Sequence, residues 1–137
     1  MPLVRISLMK GPPAGFARKA GRIVYESMVE TIQVPKDDHF QVITEHDETG
    51  LVYDPNYLSI RRSDGILFIQ ITLSEGRSTE AKQALYQSIA ARLNAELGVR
   101  TEDVFINLVE VKKENWSFGN GIAQYVAPRR EPVPVSA

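Results

Sequence analysis

The chain has 137 residues, 43% hydrophobic and 24% charged, with a formal net charge of -1. That is the profile of one soluble globular domain, with no global field to draw nucleic acid or anionic lipid. No apolar run approaches the ~18 residues of a membrane span and no basic leader precedes an apolar segment, so a cytoplasmic protein is expected; the absence of cysteine excludes disulfides, thiol nucleophiles and thiolate metal sites.

The chain opens Met1-Pro2-Leu3-Val4. Methionine before a small residue is normally cleaved, and its removal would leave Pro2 as a secondary amine held in a rigid ring. An α-amino group starts near pKa ~8, and desolvation in an apolar pocket lowers it toward the range useful for acid or base catalysis. Residues 2–8 then alternate apolar and polar, which predicts a half-buried strand, stopped by Lys10-Gly11-Pro12-Pro13. Over residues 14–33, Phe16, Ala20, Ile23, Val24, Met28 and Ile32 recur at three- and four-residue steps, which predicts a helix that Pro13 can start and Pro35 ends. Residues 40–45 read as a second strand. The stretch 47–65 is rich in turn residues, with a short strand expected around 57–60. A second cycle follows. Residues 66–73 form an apolar strand, Ser78 is a candidate N-cap, and Ala81, Leu85, Ile89, Leu93 and Leu97 are the stripe of a second helix that Gly98 closes, before a strand over 104–111. Trp116-Ser117-Phe118-Gly119-Asn120-Gly121 and the residues to Val126 predict a hairpin with aromatic side chains along one arm. Residues 128–137 carry proline and charge without periodicity and are expected to form a flexible tail.

The two cycles superimpose without a gap at a shift of about 65 positions: Ile6 on Ile71, Gly11 on Gly76, Val34 on Val99, Asp38 on Asp103, Phe40 on Phe105, with the helix stripes also in register. The expected fold is therefore α/β (α+β), a duplicated β-α-β unit. It comprises a four-stranded mixed sheet with two helices on one face, parallel strands within each unit, short strands and the C-terminal hairpin. One domain is expected over residues 1–127, with halves at about 2–47 and 66–112.

Besides Pro2, Arg77 stands in the turn between a strand and the start of a helix, where a guanidinium and the positive helix end can bind a carboxylate. Asp38 precedes a strand, and its repeat mate Asp103 occupies the equivalent bend, a symmetry that favours a turn role for both; the alternative for Asp38 is to orient water or a substrate hydroxyl. His39 and His46 lie at poor spacing for a metal site. Trp116 and Phe118 can wall a pocket or fill an interface.

Taken together, the penultimate proline, the β-α-β repeat, Val34-Pro35, Asp38, Phe40-Gln41-Val42, Glu45-His46, Arg77-Ser78, Trp116-Ser117-Phe118-Gly119 and Ala123-Gln124 resemble the tautomerase superfamily, in its malonate semialdehyde decarboxylase-like branch. The resemblance covers roughly residues 2–126 and implies a homotrimer in which processed Pro2 acts on a small keto acid by tautomerisation, decarboxylation or hydration, without metal or organic cofactor. It implies that Arg77 holds a substrate carboxylate, that Asp38 positions water or assists proton transfer, and that Trp116, Phe118 and Tyr125 form an apolar wall tuning Pro2. The chain departs from the decarboxylase pattern of two arginines flanking a proline, since Glu75-Gly76-Arg77 puts an acid at the first arginine position; Arg61 or Arg62 is a candidate substitute. The competing reading is a non-catalytic trimeric binding protein with a decayed site.

Overall fold

In a computed structural model, which describes residues 1–126, four strands and two long helices follow in the order β1 (Leu3–Met9), α1 (Phe16–Ile32), β2 (Gln41–His46), β3 (Leu67–Ser74), α2 (Thr79–Leu97), β4 (Val104–Val111). The expected tail, residues 128–137, lies outside the described residues. Each strand boundary falls within a residue of its alternating pattern, because the pattern is set by which side chains the helices cover. Val4, Ile6 and Leu8 of β1 and Leu67, Ile69, Ile71 and Leu73 of β3 are buried under the helices, while Arg5 and Gln70 point to the other face. From above, α1 contributes Ala20, Ile23, Val24 and Met28, and α2 contributes Leu85, Ile89 and Leu93. Fully burying each large aliphatic side chain contributes about 1.5–3 kcal/mol, so these two stripes supply most of the driving force for docking the helices.

Local chemistry sets the helix ends. Ser78 caps α2, its hydroxyl accepting from the Ala81 N–H at 3.1 Å, and Gly98 ends it at φ 69°, a left-handed conformation that costs glycine little. The first helix has no side-chain cap: Gly15 precedes it, and Gln33 closes it at φ 54°.

The sheet order is β2-β1-β3-β4. Within each half the strands are parallel, Val4 level with Gln41 and Leu67 level with Val104, and the halves join through antiparallel pairing of β1 and β3, Leu3 level with Thr72. Two local expectations need correction. Residues 57–60 form no strand; Tyr57–Ser59 is a single 3-10 turn with Leu58 and Ser59 at positive φ. One guanidinium explains it, because Arg62 Nη1 donates to the carbonyls of Asp54, Tyr57 and Ile60 at 2.9–3.3 Å and winds the loop around itself. Residues 116–126 form successive turns rather than a hairpin. Their bracing comes from Gln124, whose Oε1 accepts from Phe118 N–H and whose Nε2 donates to Gly119 O, both at 2.9 Å.

The second-half bend holds Asp103 in the structural role its position suggests. It is 2% exposed and accepts from Ser63 N–H at 2.7 Å and from the Ser63 hydroxyl at 2.5 Å, with Arg100 beside it at 3.5 Å. Replacing it takes this acceptor from the Ser63 N–H and hydroxyl and from Arg100. Asp103→Ala is expected to lower unfolding free energy by ~2–4 kcal/mol, read as a reduced urea midpoint at unchanged m-value.

Candidate active site

The antiparallel β1–β3 register gathers the site at one end of the sheet. Beyond the Leu3–Thr72 pair the same register carries the chain start past Leu73 and Ser74 toward the Glu75-Gly76-Arg77 turn. Parallel pairing of β1 with β2 brings in the segment before β2, with Val4 N–H donating to Phe40 O at 3.1 Å. Parallel pairing of β3 with β4, Ser74 level with Val111, delivers residues 112–118 from the other side. Pro2 itself is buried.

All six residues singled out in the sequence meet here. The α-amino group of Met1 donates to the Tyr125 hydroxyl at 2.9 Å and lies 3.8 Å from Asp38 Oδ2. Trp116 stacks on Phe118 at 5.3 Å between ring centroids, and Phe118 meets Tyr125 edge to face at 4.9 Å. Together with Pro2, Leu3 and Phe40, the Trp116–Phe118 pair lines a cleft of about 200 Å³ over the chain start. A larger depression of about 700 Å³, lined by Arg18, Lys19, Arg22 and His39, lies between α1 and β2 and contains none of the six.

Ser74 is a positioning residue that pattern reading missed. Its hydroxyl accepts from Trp116 Nε1 at 3.1 Å and its carbonyl from Arg77 Nη1 at 3.2 Å, so the last residue of β3 sets both the indole and the guanidinium. No local signal marks it, since a serine closing a strand is ordinary. Gly76, at φ 121°, lets the chain turn back so that Arg77 can make that contact.

The electrostatics follow from partial burial. Desolvation pushes the terminal amine below its ordinary 8.0; the Asp38 carboxylate opposes this, and the positive charges of Arg77 and Lys113 add to it. Desolvation likewise raises Asp38, against the pull of the terminal amine and Arg77. Tyr125 is raised by desolvation and by the Asp38 charge, with Arg77 opposing. Lys113 is a second cation near the terminus that the sequence reading did not select. Arg62 is committed to its own loop carbonyls, and the Arg61 carbonyl accepts from Arg100 Nη2 at 2.9 Å.

Asp38 differs from its repeat mate in one respect: its Oδ1 is buried and has no hydrogen-bond partner among the described residues. A buried acceptor without a partner is uncommon in a folded protein, and this one lies beside a charged terminus. His39 is turned away and stacks on Tyr25 at 4.2 Å, and among the described residues no three His, Asp or Glu side chains gather to share a metal. No helix among them is long and apolar enough to cross a membrane.

Known proteins match this arrangement over nearly its whole length. Two family models described as tautomerase enzyme match residues 38–119 and 2–61. Probable tautomerase YusQ of Bacillus subtilis (strain 168) is 48% identical over 126 residues, 92% of this chain and 99% of that protein. Probable tautomerase YrdN of the same organism is 32% identical, over 92% and 97%. Among solved structures, FG41 malonate semialdehyde decarboxylase inhibited by 3-bromopropiolate superposes with TM-score 0.84 at 35% identity, over 90% of this chain and 94% of that one. A second malonate semialdehyde decarboxylase, described with decarboxylase and hydratase activities, gives 0.83 at 26% identity, over 90% and 95%. Fused 4-OT, solved as a symmetric trimer, shares the fold at 0.75 and 19% identity, over 92% and 99%.

The influence of each neighbouring charge on the terminal amine is open to direct measurement. Nitrogen-15 NMR of the chain retaining Met1 is expected to show its terminal amine titrating below 8.0. Asp38→Asn should move that titration further down, because a stabilising anion is lost, and Arg77→Ala should move it up, because a competing cation is lost.

Proposed function

The chain belongs to the tautomerase family, in its malonate semialdehyde decarboxylase-like branch, and from that premise we propose that it is a cofactor-free cytoplasmic enzyme whose Pro2 nitrogen, freed by removal of Met1, is the acid or base acting on a small keto acid. The observation that carries this reading is the partly desolvated terminus, 3.8 Å from Asp38 and under the influence of Arg77, at a cleft walled by Trp116 and Phe118.

Pro2 is buried, and burial disfavours the charged form of an amine, so the freed nitrogen can take a proton from the carbon next to a carbonyl and return it elsewhere, which is tautomerisation. In its protonated form the same nitrogen polarises a carbonyl, so that carbon dioxide can leave from the neighbouring carbon or water can add. In either case Arg77 holds the substrate carboxylate, Asp38 directs water or a proton, and the aromatic wall keeps bulk water from levelling these charges. Isomerase and lyase chemistry share this machinery.

A homotrimer is part of the proposal. Fused 4-OT assembles so, and the sheet face opposite the helices exposes Val42, Phe105 and Val109, apolar surface of the kind a subunit interface covers. One observation favours a second reading, a non-catalytic trimeric binding protein: exposed Glu75 stands where the decarboxylase pattern has an arginine. Lys113 weighs against it by restoring a second positive charge near the terminus.

The deciding assays are the enol–keto conversion of phenylpyruvate and the decarboxylation of malonate semialdehyde, by protein whose intact mass lacks Met1. Pro2→Ala is expected to lower kcat by ~10²- to 10⁴-fold. Arg77→Ala is expected to raise KM by ~10- to 100-fold through loss of a charge-assisted contact. Activity equal to wild type in both variants, or none in the wild type with retained Met1 excluded, favours the binding protein. Light scattering should give a mass three times that of the chain.

A further inference from the structure

The depression between α1 and β2 lies outside the cleft at the chain start and carries charges that the fold does not ask for. About 700 Å³ in volume, it is lined by Arg18, Lys19 and Arg22 from the start of α1 and by His39, Gln41 and Ile43 from the chain entering and forming β2. Its floor is fixed. Gln41 Nε2 donates to the Gly21 carbonyl at 2.7 Å, and any side chain at position 21 would run into the Gln41 amide. Among the described residues Arg22 has Glu96 at 3.9 Å, whereas Arg18 and Lys19 form no ion pair.

The repeated half supplies an internal control. Its residues at the positions of Arg18, Lys19, Arg22 and His39 are Gln83, Ala84, Gln87 and Val104, so the same corner of the second half is uncharged at every one of them. There Lys82 and Glu110 instead bridge α2 to β4 at 2.9 Å, a pair whose mates are Ala17 and Glu45. The second helix also begins as helix electrostatics favours, with the Ser78 cap and Glu80 in its first turn. The first has neither a side-chain cap nor an acid there, and Arg18 and Lys19 stand in that turn. Arg18 and Arg22, four residues apart on one helix, set like charges side by side. In a chain of net charge -1 this clustering does not follow from composition. Each feature costs the folded chain stability, and an anion in the depression offsets all of them.

We infer that this depression is a binding site for a soluble diphosphate ester of nucleoside size. Arg18 and Arg22 present forked donors suited to phosphoryl oxygens, and Lys19 adds a point charge between them. The volume is that of a small-molecule site and exceeds what a diphosphate alone fills. His39 is exposed and stacked on Tyr25 at 4.2 Å, which gives an aromatic base a platform at the rim. The site shares no lining residue with the cleft over the chain start, although His39 is the direct neighbour of Asp38.

Isothermal titration of the full chain with adenosine diphosphate, in the absence of divalent metal, tests the site without requiring turnover. One molecule is expected to bind per chain. Pyrophosphate, which lacks the ring, and adenosine, which lacks the charge, are each expected to bind about tenfold more weakly or less. Arg18→Gln and Lys19→Gln, both exposed substitutions, are each expected to weaken adenosine diphosphate by about tenfold, the worth of a charge-assisted contact. His39→Ala is expected to bring it down to the level of pyrophosphate. Arg77→Ala is expected to leave it unchanged, which tells a ligand in this depression from an anion held at the chain start. No measurable binding of adenosine diphosphate overturns the site. So does binding that survives both Arg18→Gln and Lys19→Gln undiminished, or that is lost in Arg77→Ala. Pyrophosphate bound as tightly as adenosine diphosphate, or a His39→Ala variant that keeps the difference between them, overturns the assignment of an ester with a ring.

Discussion

Antiparallel pairing of β1 with β3 is the constraint from which the rest of the site follows. Each β-α-β half is a self-contained parallel unit, and two such units can share a sheet only by joining strand to strand. Joined as they are, with Leu3 level with Thr72 and Leu8 level with Leu67, the start of β1 meets the end of β3. The chain start, the segment before β2, the turn after β3 and the segment after β4 then collect at one end of the sheet. A parallel β1–β3 pair would have put Arg77 at the opposite end from Pro2.

The same pairing creates a second, related end, and comparison of the two shows how a site arises from a symmetric frame. At the second end Asp103 is saturated by Ser63 and Arg100 and serves as a structural pin. At the first, Asp38 faces the terminal amine and keeps one oxygen without a partner among the described residues. The repeat mate of Arg77 is Pro12, so the second end lacks a cation at that position. The chain continues without a break from Ser63 through Ile66 at the second end, whereas at the first the Met1 nitrogen lies 3.8 Å from Asp38. The difference lies in what surrounds each acid, because a carboxylate with all its hydrogen bonds made has nothing left to offer a ligand.

Around the terminus the charges are balanced rather than summed. Burial works against both the ammonium and the carboxylate, each is relieved by the other, and Arg77 shifts both downward. Ser74 ties the guanidinium and the Trp116 indole to the rigid end of β3, so the cation and the apolar wall keep their relative places. A loop held only by turns, residues 116–126, gains its order from the Gln124 side chain and from the aromatic stack. Such ordering matters because groups fixed before a ligand arrives need not be reorganised when it reacts.

Strands, helices and their caps were legible in the amino-acid sequence, since periodicity, Ser78 and Gly98 act over a few residues and each half repeats the message of the other. The residues that gather at the chain start were marked in the sequence as well, through the penultimate proline, the Arg77 turn and the aromatic run. The turn at Tyr57–Ser59 and the turns after Trp116 were misread because their shape is set by side chains reaching back to the main chain, Arg62 in one and Gln124 in the other, which no local pattern reports. Ser74 and Lys113 went unseen for a related reason: their neighbours are distant in sequence. By itself the sequence determined which elements form and which family the chain resembles. Which strand ends meet, which aspartate is left unsatisfied, and that the Tyr125 hydroxyl faces the terminus were decided only in the tertiary structure, where long-range register sets proximity and local propensity has no say.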